Sequence, residues 1–202
     1  TGQLWGNPIY DWKKNKDTNY YWWRKRVSAM AKICDCVRID HFRGFESYWS
    51  IPFGEKTAVN GEWVKGPGYD LFEHLKPVCK KIEIIAEDLG VITKEVKELK
   101  DKTGFPGMKL MQFAFGDYDR HLAGIYYDDD PNEAGGVDLS KCKTPREVKE
   151  AKLKNPFLPH NFEKNCIAYL GTHDNDVMTN FIQEQKKKKA AMKDYLCIWR
   201  DE

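Results

Sequence analysis

The sequence predicts an α/β protein in which parallel strands alternate with helices. Short apolar runs rich in β-branched residues are separated repeatedly by stretches whose apolar residues have helical spacing. None of the strand-like runs is joined to the next by a short turn typical of a β-hairpin. This alternation is typical of βαβ units and of a parallel sheet.

The composition is that of a globular protein with many aromatic residues: 41% of residues are hydrophobic, 13% aromatic and 32% charged. A net charge of +2 gives no electrostatic preference for nucleic acid or a membrane surface. No apolar run approaches the roughly 20 residues of a membrane span, and the first residues do not resemble a signal peptide. Because the chain starts without Met, we expect it to be a piece of a longer protein.

Most of the six cysteines lie among apolar neighbours, which indicates reduced core thiols in a cytoplasmic protein. Only Cys34 and Cys36 are close in sequence, and no second pair or histidine spacing completes a zinc site. We therefore expect no metal.

The first elements lead to a charged strand end. Residues 1–17 are predicted to be a loop, and its aromatic side chains either fill a core or form a platform for a flat ligand. Residues 20–33 have the spacing of a helix. A strand containing the β-branched Val37 and Ile39 follows and ends at Asp40.

The middle of the chain repeats this pattern. Residues 49–68 are predicted to be irregular, because glycines and prolines interrupt them. A helix is predicted to begin at Asp70, and a strand at 82–87 follows it and ends in a carboxylate. Thr93 is predicted to cap a further helix, which Gly104 ends.

The last third contains two more predicted strands, at 109–115 and 167–171. Between them, 117–154 is predicted to be a surface insertion, with a short helix capped by Thr144. Its acidic run at 128–130 is interpreted as a solvated loop, because three adjacent aspartates cannot all face one ion.

Three of the four predicted strands end in acidic residues: Asp40, Glu87 and Asp174. The carboxyl ends of parallel strands converge on one edge, or on one mouth in a barrel, so these carboxylates can share a pocket. An isolated Arg-x-Asp sequence favours a structural ion pair. Three carboxylates at equivalent strand ends favour a catalytic site.

Paired carboxylates with aromatic surroundings and no nucleotide motif suit the chemistry of a glycosidic bond. One carboxylate must be ionised, and the other must hold a proton for the leaving oxygen. Arg38 lies on the same strand face as Asp40 and is expected to keep it ionised. Glu87 follows a largely apolar strand, so it is the better candidate for a raised pKa and the acid role.

Several longer segments cover nearly the whole chain. They are GQLWGNP at 2–8, VRIDHFRGF at 37–45, TAVNGEWVKGPG at 57–68, IAEDLGVIT at 85–93, GFPGMKLMQFAF at 104–115, NPFLPHN at 155–161 and GTHDND at 171–176. In their residues and in their order along the chain, these segments resemble the 4-α-glucanotransferases (amylomaltases, or disproportionating enzymes) of the α-amylase superfamily.

The resemblance implies that 1–202 is a portion of a single catalytic (β/α)₈ TIM-barrel domain, with the surface insertion at about 117–154. It implies that Asp40 is the nucleophile and Glu87 the acid/base. Asp174 would bind sugar hydroxyls and stabilise the transition state.

The same resemblance implies a set of substrate-binding residues. Arg38 and His173 would flank the donor sugar, Trp5 would contact glucan from a mobile loop, and Asn7 and His41 would also bind substrate. Enzymes of this family transfer an α-1,4-glucan segment from a maltooligosaccharide to another glucan or to glucose. They act by a retaining double displacement and need no cofactor.

Two alternatives remain beside this hypothesis: an α-glucan hydrolase with the same donor site, and a glucan-binding fragment without turnover. The second leaves the three strand-end carboxylates unexplained. Since 202 residues fall short of the roughly 250 of a complete barrel, we expect residues 1–202 to be inactive by themselves.

Overall fold

The computed structural model describes residues 4–90, 92–114 and 143–184. The helices and strands, in chain order, are α1 (Trp12–Asp17), α2 (Tyr21–Met30), β1 (Cys36–Ile39), β2 (Ser47–Ser50), β3 (Glu62–Lys65), α3 (Gly68–Cys79), β4 (Glu83–Ala86), α4 (Lys94–Thr103), β5 (Gly107–Leu110), α5 (Met111–Ala114), α6 (Pro145–Lys152), β6 (Cys166–Tyr169) and α7 (Met178–Glu184). Short 3₁₀ helices lie at Phe42–Phe45 and Pro159–Asn161.

The chain divides into two compact units. The first comprises Thr1–Asp88 and Lys94–Pro106, and the second comprises Leu89–Thr93 and Gly107–Glu202. Within the described residues, each unit contains one pair of parallel strands, β1 with β4 and β5 with β6. Parallel strands alternating with helices are thus confirmed for these pairs. The described residues form two-stranded sheets and no closed barrel.

In the first unit, β1 and β4 pair in parallel from Cys36 opposite Glu83 to Ile39 opposite Ala86. Both strands are short and apolar at alternate positions, as the sequence predicts for strands that pack against helices. Since the two strands end level with each other, the residues that follow them lie at one edge of the sheet.

The connection between these strands contains an antiparallel hairpin, so the prediction of an irregular segment at 49–68 is confirmed at 51–61 and wrong at its two ends, where β2 and β3 lie. β2 pairs with β3, and Trp49 lies directly opposite Trp63. The long connection at 51–61 holds no two-residue turn, and for that reason the usual hairpin pattern is missing from the sequence. Gly61 lies against the Trp49 indole, where a Cβ atom would collide with the ring.

The prediction of a loop at 1–17 is also wrong in its last part, where α1 forms. Asp11 caps this helix, because its Oδ1 accepts a hydrogen bond from the Lys14 backbone N–H at 2.9 Å. The predicted helix at 20–33 is confirmed as the shorter α2, which buries Trp23 and Val27.

Helix α3 begins at Gly68, slightly before the predicted start at Asp70. The Asp70 side chain bonds to residues outside this helix. Its Oδ2 accepts a hydrogen bond from the Tyr20 hydroxyl at 2.8 Å and lies 3.0 Å from the Lys16 ammonium. Hydrogen bonds from Lys16 and then Tyr20 lower the pKa of Asp70. This carboxylate therefore ties α3 to the start of α2.

The core of the first unit is aromatic and lies against the sheet edge where β1 ends. Phe42, Phe45 and Phe72 are buried, and their ring centroids lie 5.1–5.9 Å apart. The core also contains Tyr20, Trp23, Val27, Leu71, Leu75, Ile82, Ala86 and Leu99. Phe42 and Phe45 belong to the 3₁₀ helix just after β1, so their burial holds that segment in place.

Helix α4 lies between Thr93 and Gly104, as predicted, and Gly104 ends it with a positive φ of 74°. Its Lys100 side chain reaches into the interior and pairs with Asp88 at 2.7 Å; the two side chains are only 8% and 9% exposed. Asp88 follows β4 closely. The ion pair therefore connects the end of that strand to α4.

In the second unit, β5 pairs in parallel with β6 from Gly107 opposite Cys166 to Leu110 opposite Tyr169. The strand β5 ends at Leu110, so the predicted strand at 109–115 extends too far toward the C-terminus. The chain turns into α5 at Met111, where Ala114 packs with Phe157 and Leu158 in a second small core. Residue 115 lies outside the described residues.

The predicted short helix near 144 is confirmed as α6. The Glu147 backbone N–H donates to the Thr144 hydroxyl at 3.2 Å, and the Glu147 carboxylate accepts from the Thr144 N–H at 3.1 Å. This reciprocal pair is a capping box. The rest of the predicted insertion, 117–142 with its acidic run, lies outside the described residues.

Among the described residues, no helix has the length and apolarity needed to cross a membrane.

We expect Lys100→Met in the complete protein to lower the free energy of unfolding by about 3–5 kcal/mol. The substitution keeps most of the side-chain volume but removes the positive charge beside the buried Asp88 carboxylate. Urea denaturation measures the change. Lys97→Met, at an exposed position of the same helix, is the matched control and should change stability by less than about 0.5 kcal/mol. Equal changes in both variants would contradict a stabilising role for the pair.

Candidate active site

Two acidic residues lie at the same edge of the first unit. Asp40 follows Ile39 and Glu87 follows Ala86, and those two residues are paired in register. The Glu87 N–H donates to the Ile39 carbonyl at 2.9 Å, and the Phe42 N–H donates to the Glu87 carbonyl at 3.1 Å. Backbone bonding thus continues past the strands and holds the two carboxylate-bearing residues side by side.

The Glu87 carboxylate is oriented by the neighbouring strand end. Its Oε2 accepts a hydrogen bond from the His41 backbone N–H at 2.7 Å. This bond fixes the orientation of the Glu87 carboxyl group relative to the end of β1.

An unusual backbone conformation at His41 makes that hydrogen bond possible. His41 has a positive φ of 51°, a region that non-glycine residues seldom adopt. Its ring lies against Gly44, where a Cβ atom would come within 2.8 Å of Nδ1. A larger residue at position 44 would therefore displace the imidazole.

The His41 ring is uncharged at neutral pH. Its burial, and then the positive charge of Arg43, lower the pKa of His41, and the Asp40 carboxylate only partly opposes them. The ordinary value is about 6.5, so a lowered pKa keeps the imidazole neutral near pH 7. A neutral ring has one donor and one acceptor nitrogen, which suits the recognition of a hydroxyl group.

The Asp40 side chain is exposed to solvent and lies beside a positively charged residue. The Arg38 guanidinium lies 3.6 Å from Asp40 Oδ1, and the Asp40 side chain is 64% exposed. Both residues lie on one face of the extended segment, as their spacing predicts. An exposed pair of this kind contributes at most about 1 kcal/mol to stability, so its main effect is to orient the carboxylate.

The second unit holds His173 and Asp174 together in the loop after β6. The His173 Nε2 lies 3.2 Å from Asp174 Oδ1, and both side chains are mostly exposed. The loop is shaped by Asn175, whose Oδ1 accepts from both the N–H and the hydroxyl of Thr172 at 2.9 Å. The Gln112 amide donates to the Asp176 carbonyl at 2.5 Å and ties the loop to α5.

Trp5 and Asn7 belong to the first unit and lie on the segment before α1. Both are exposed, and 66% of the Trp5 surface is open to solvent. In the described part of the chain, no group of three His, Cys, Asp or Glu residues is arranged to hold a metal ion.

Sequence reasoning missed Arg43. Its guanidinium lies 4.4 Å from the centre of the Trp63 ring, and its charge acts on His41. The residue stands within the charged stretch after β1, but its stacking partner comes from β3. Only the hairpin brings the two together, so no local sequence signal could have identified the contact.

A sequence profile of the family described as 4-alpha-glucanotransferase matches residues 1–132 and 142–201. The 4-alpha-glucanotransferase of Clostridium butyricum is 47% identical over 195 residues, which cover 95% of this chain and 33% of that protein. The 4-alpha-glucanotransferase of Thermus thermophilus is 39% identical over 202 residues, covering 98% of this chain and 34% of that protein.

A solved structure, the amylomaltase from Streptococcus agalactiae in complex with acarbose, superposes with a TM-score of 0.75 at 36% identity. It matches 100% of this chain, which covers 34% of that protein. The chain thus spans about a third of the length of the relatives that it matches. With the profile matched along nearly its whole length, the chain belongs to the 4-alpha-glucanotransferase family.

Proposed function

We propose that the complete protein containing this chain is a 4-α-glucanotransferase. It transfers α-1,4-glucan segments from a donor maltooligosaccharide to an acceptor glucan or to glucose by a retaining double displacement. The observation that carries the proposal is the pair Asp40 and Glu87, level with each other on adjacent parallel strands in a chain of this family. We include in the proposal that residues 1–202 form part of a (β/α)₈ barrel domain.

In the first displacement, an Asp40 oxygen attacks the anomeric carbon while the bond to the leaving sugar breaks. Glu87 gives its proton to the leaving oxygen, and a glycosyl ester forms on Asp40. The ion pair with Arg38 supports the oriented carboxylate that a nucleophile needs. The His41 N–H bond to Oε2 supports a fixed orientation of the Glu87 carboxyl group, as an acid needs.

In the second displacement, an acceptor hydroxyl attacks the ester carbon and the bond to Asp40 breaks. The Glu87 carboxylate takes the proton of that hydroxyl, so the acid of the first step is the base of the second. Two inversions at the anomeric carbon return the α configuration. The reaction consumes no cofactor.

Other residues have supporting roles in this proposal. Asp174 binds sugar hydroxyls and stabilises the charged transition state, and His173 and Arg38 flank the donor sugar. The neutral His41 ring and Asn7 bind substrate hydroxyls, and the exposed Trp5 indole stacks on a glucan ring.

We infer a cytoplasmic location for the protein from its cysteines. Those in the described part of the chain, Cys34, Cys36, Cys79 and Cys166, are free thiols. Unpaired thiols in this number are typical of a reducing compartment.

Incubation of the complete protein with maltotriose tests the proposal. Transfer produces glucose together with a ladder of longer chains, because the enzyme-bound glycosyl group passes to another sugar. Glucose and maltose alone would indicate a hydrolase, and no product at all would indicate a binding protein.

We expect Asp40→Asn in the complete protein to lower the rate of transfer by at least about 10⁴-fold, because an amide cannot form the glycosyl ester. Product analysis with maltotriose measures the rate. Asp35→Asn makes the same change just before the start of β1 and should transfer at nearly the wild-type rate. A near-normal rate for Asp40→Asn, in a preparation free of wild-type enzyme, would rule out its role as nucleophile.

We expect Glu87→Gln to slow transfer from natural glucans by about 10²–10⁴-fold but to spare the first step with α-glucosyl fluoride. Fluoride leaves without protonation, so that step depends on Asp40 alone. Fluoride release and a covalent adduct detected by mass spectrometry are the measurements. Glu83→Gln, at the opposite end of β4, is the matched control. If Glu87→Gln and Asp40→Asn lost fluoride release equally, the acid role would be wrong.

A further inference from the structure

Two tryptophans form an exposed pair on the β2–β3 hairpin. Trp49 and Trp63 are directly opposite in register, and their rings meet edge to face with centroids 5.5 Å apart. Trp49 is 38% exposed and Trp63 is 51% exposed. The two indoles together form an apolar surface that is open to solvent.

Specific contacts hold the pair in place. The Trp49 Nε1–H donates to the Ala58 carbonyl at 2.9 Å, and Gly61 lies against the same indole. The buried Arg43 stacks on one face of Trp63 at 4.4 Å, while half of the Trp63 surface stays open. The rings are therefore pre-organised, and a ligand that stacks on them loses little side-chain entropy.

Polar groups border the indoles on the same face of the hairpin. Ser47 and Lys65 form the next pair of residues on that face, because side chains alternate along a strand. The Lys65 ammonium and the Ser47 hydroxyl both donate to the Glu46 carboxylate. Ser47 is buried, so the exposed polar group of this border is Lys65, whose charge is balanced by Glu46. The border suits an uncharged ligand rich in hydroxyl groups better than an anion.

A short series of contacts connects this surface to the candidate active site. Arg43, which stacks on Trp63, is close enough to His41 to lower its pKa. The His41 backbone in turn binds the Glu87 carboxylate. The hairpin surface thus lies next to the segment that carries His41.

We propose that Trp49 and Trp63 form a platform that binds glucose units of a long α-1,4-glucan, away from the bond that is broken. A glucose ring offers apolar C–H faces for stacking on the indoles and hydroxyl groups for the polar border. This inference rests on the proposed function, because it takes the same class of substrate.

Calorimetric binding of maltotriose and maltoheptaose to the complete protein tests the platform. The measurements are made in the Asp40→Asn background, so that neither sugar is consumed. We expect Trp63→Ala to raise the Kd for maltoheptaose by about fivefold and to leave the Kd for maltotriose unchanged. The proposal places the hairpin beyond the reach of a glucan of three units that is bound at the carboxylates.

Two further variants separate stacking from packing. Trp63→Phe retains an aromatic ring and should recover most of the maltoheptaose affinity, even if Trp63→Ala does not fold. Phe53→Ala removes a fully exposed aromatic ring from the same hairpin and should bind both sugars like the parent protein.

Equal loss of affinity for both sugars in Trp63→Ala, or no loss for either, would overturn the platform. If Trp63→Ala does not fold, Trp63→Leu, which keeps an apolar side chain but no aromatic face, is judged by the same two outcomes. The proposed function fails independently: wild-type protein without transfer from maltotriose would refute it. Even then, a loss of affinity for maltoheptaose but not for maltotriose on Trp63→Ala would uphold the platform.

Discussion

The parallel pairing of β1 with β4 is the interaction on which the candidate site depends. The bonds from Glu87 N–H to the Ile39 carbonyl and from Phe42 N–H to the Glu87 carbonyl extend this pairing beyond the strands. A shift of one residue in register would turn one of the carboxylates to the other face of the sheet. The position of Asp40 relative to Glu87 is therefore set by backbone hydrogen bonds, which are stiffer than contacts between exposed side chains.

The segment after β1 serves the core and the site together. Phe42 and Phe45 are buried against Phe72 of α3, while His41 precedes Phe42 and Arg43 lies between the two phenylalanines. His41 is held at a positive φ between the paired end of β1 and the buried Phe42. That conformation costs of order 1 kcal/mol, and the burial of two phenylalanines offsets it several times over. Stability and site geometry thus depend on the same few residues.

Two ion pairs near the strand ends differ in their physical roles. The pair of Arg38 with Asp40 is open to solvent, so it contributes little to stability and leaves the carboxylate accessible to a substrate. The pair of Lys100 with Asp88 is buried, so removal of either charge has a large cost. The buried pair holds the backbone just after Glu87, and the exposed pair orients Asp40. One supports the fold of the site, and the other supports its chemistry.

The sequence by itself determined the strands that end at Asp40 and Glu87, because β-branched alternation and a closing glycine are local signals. It also determined the end of α4 at Gly104 and the cap of α6 at Thr144. Only the tertiary structure decided the contacts between distant segments. The β2–β3 hairpin has no short turn, and Asp70 bonds to Tyr20 instead of capping its helix. Such contacts depend on strand register and on packing between segments that are far apart in the chain. Local residue patterns determine neither the register nor the packing.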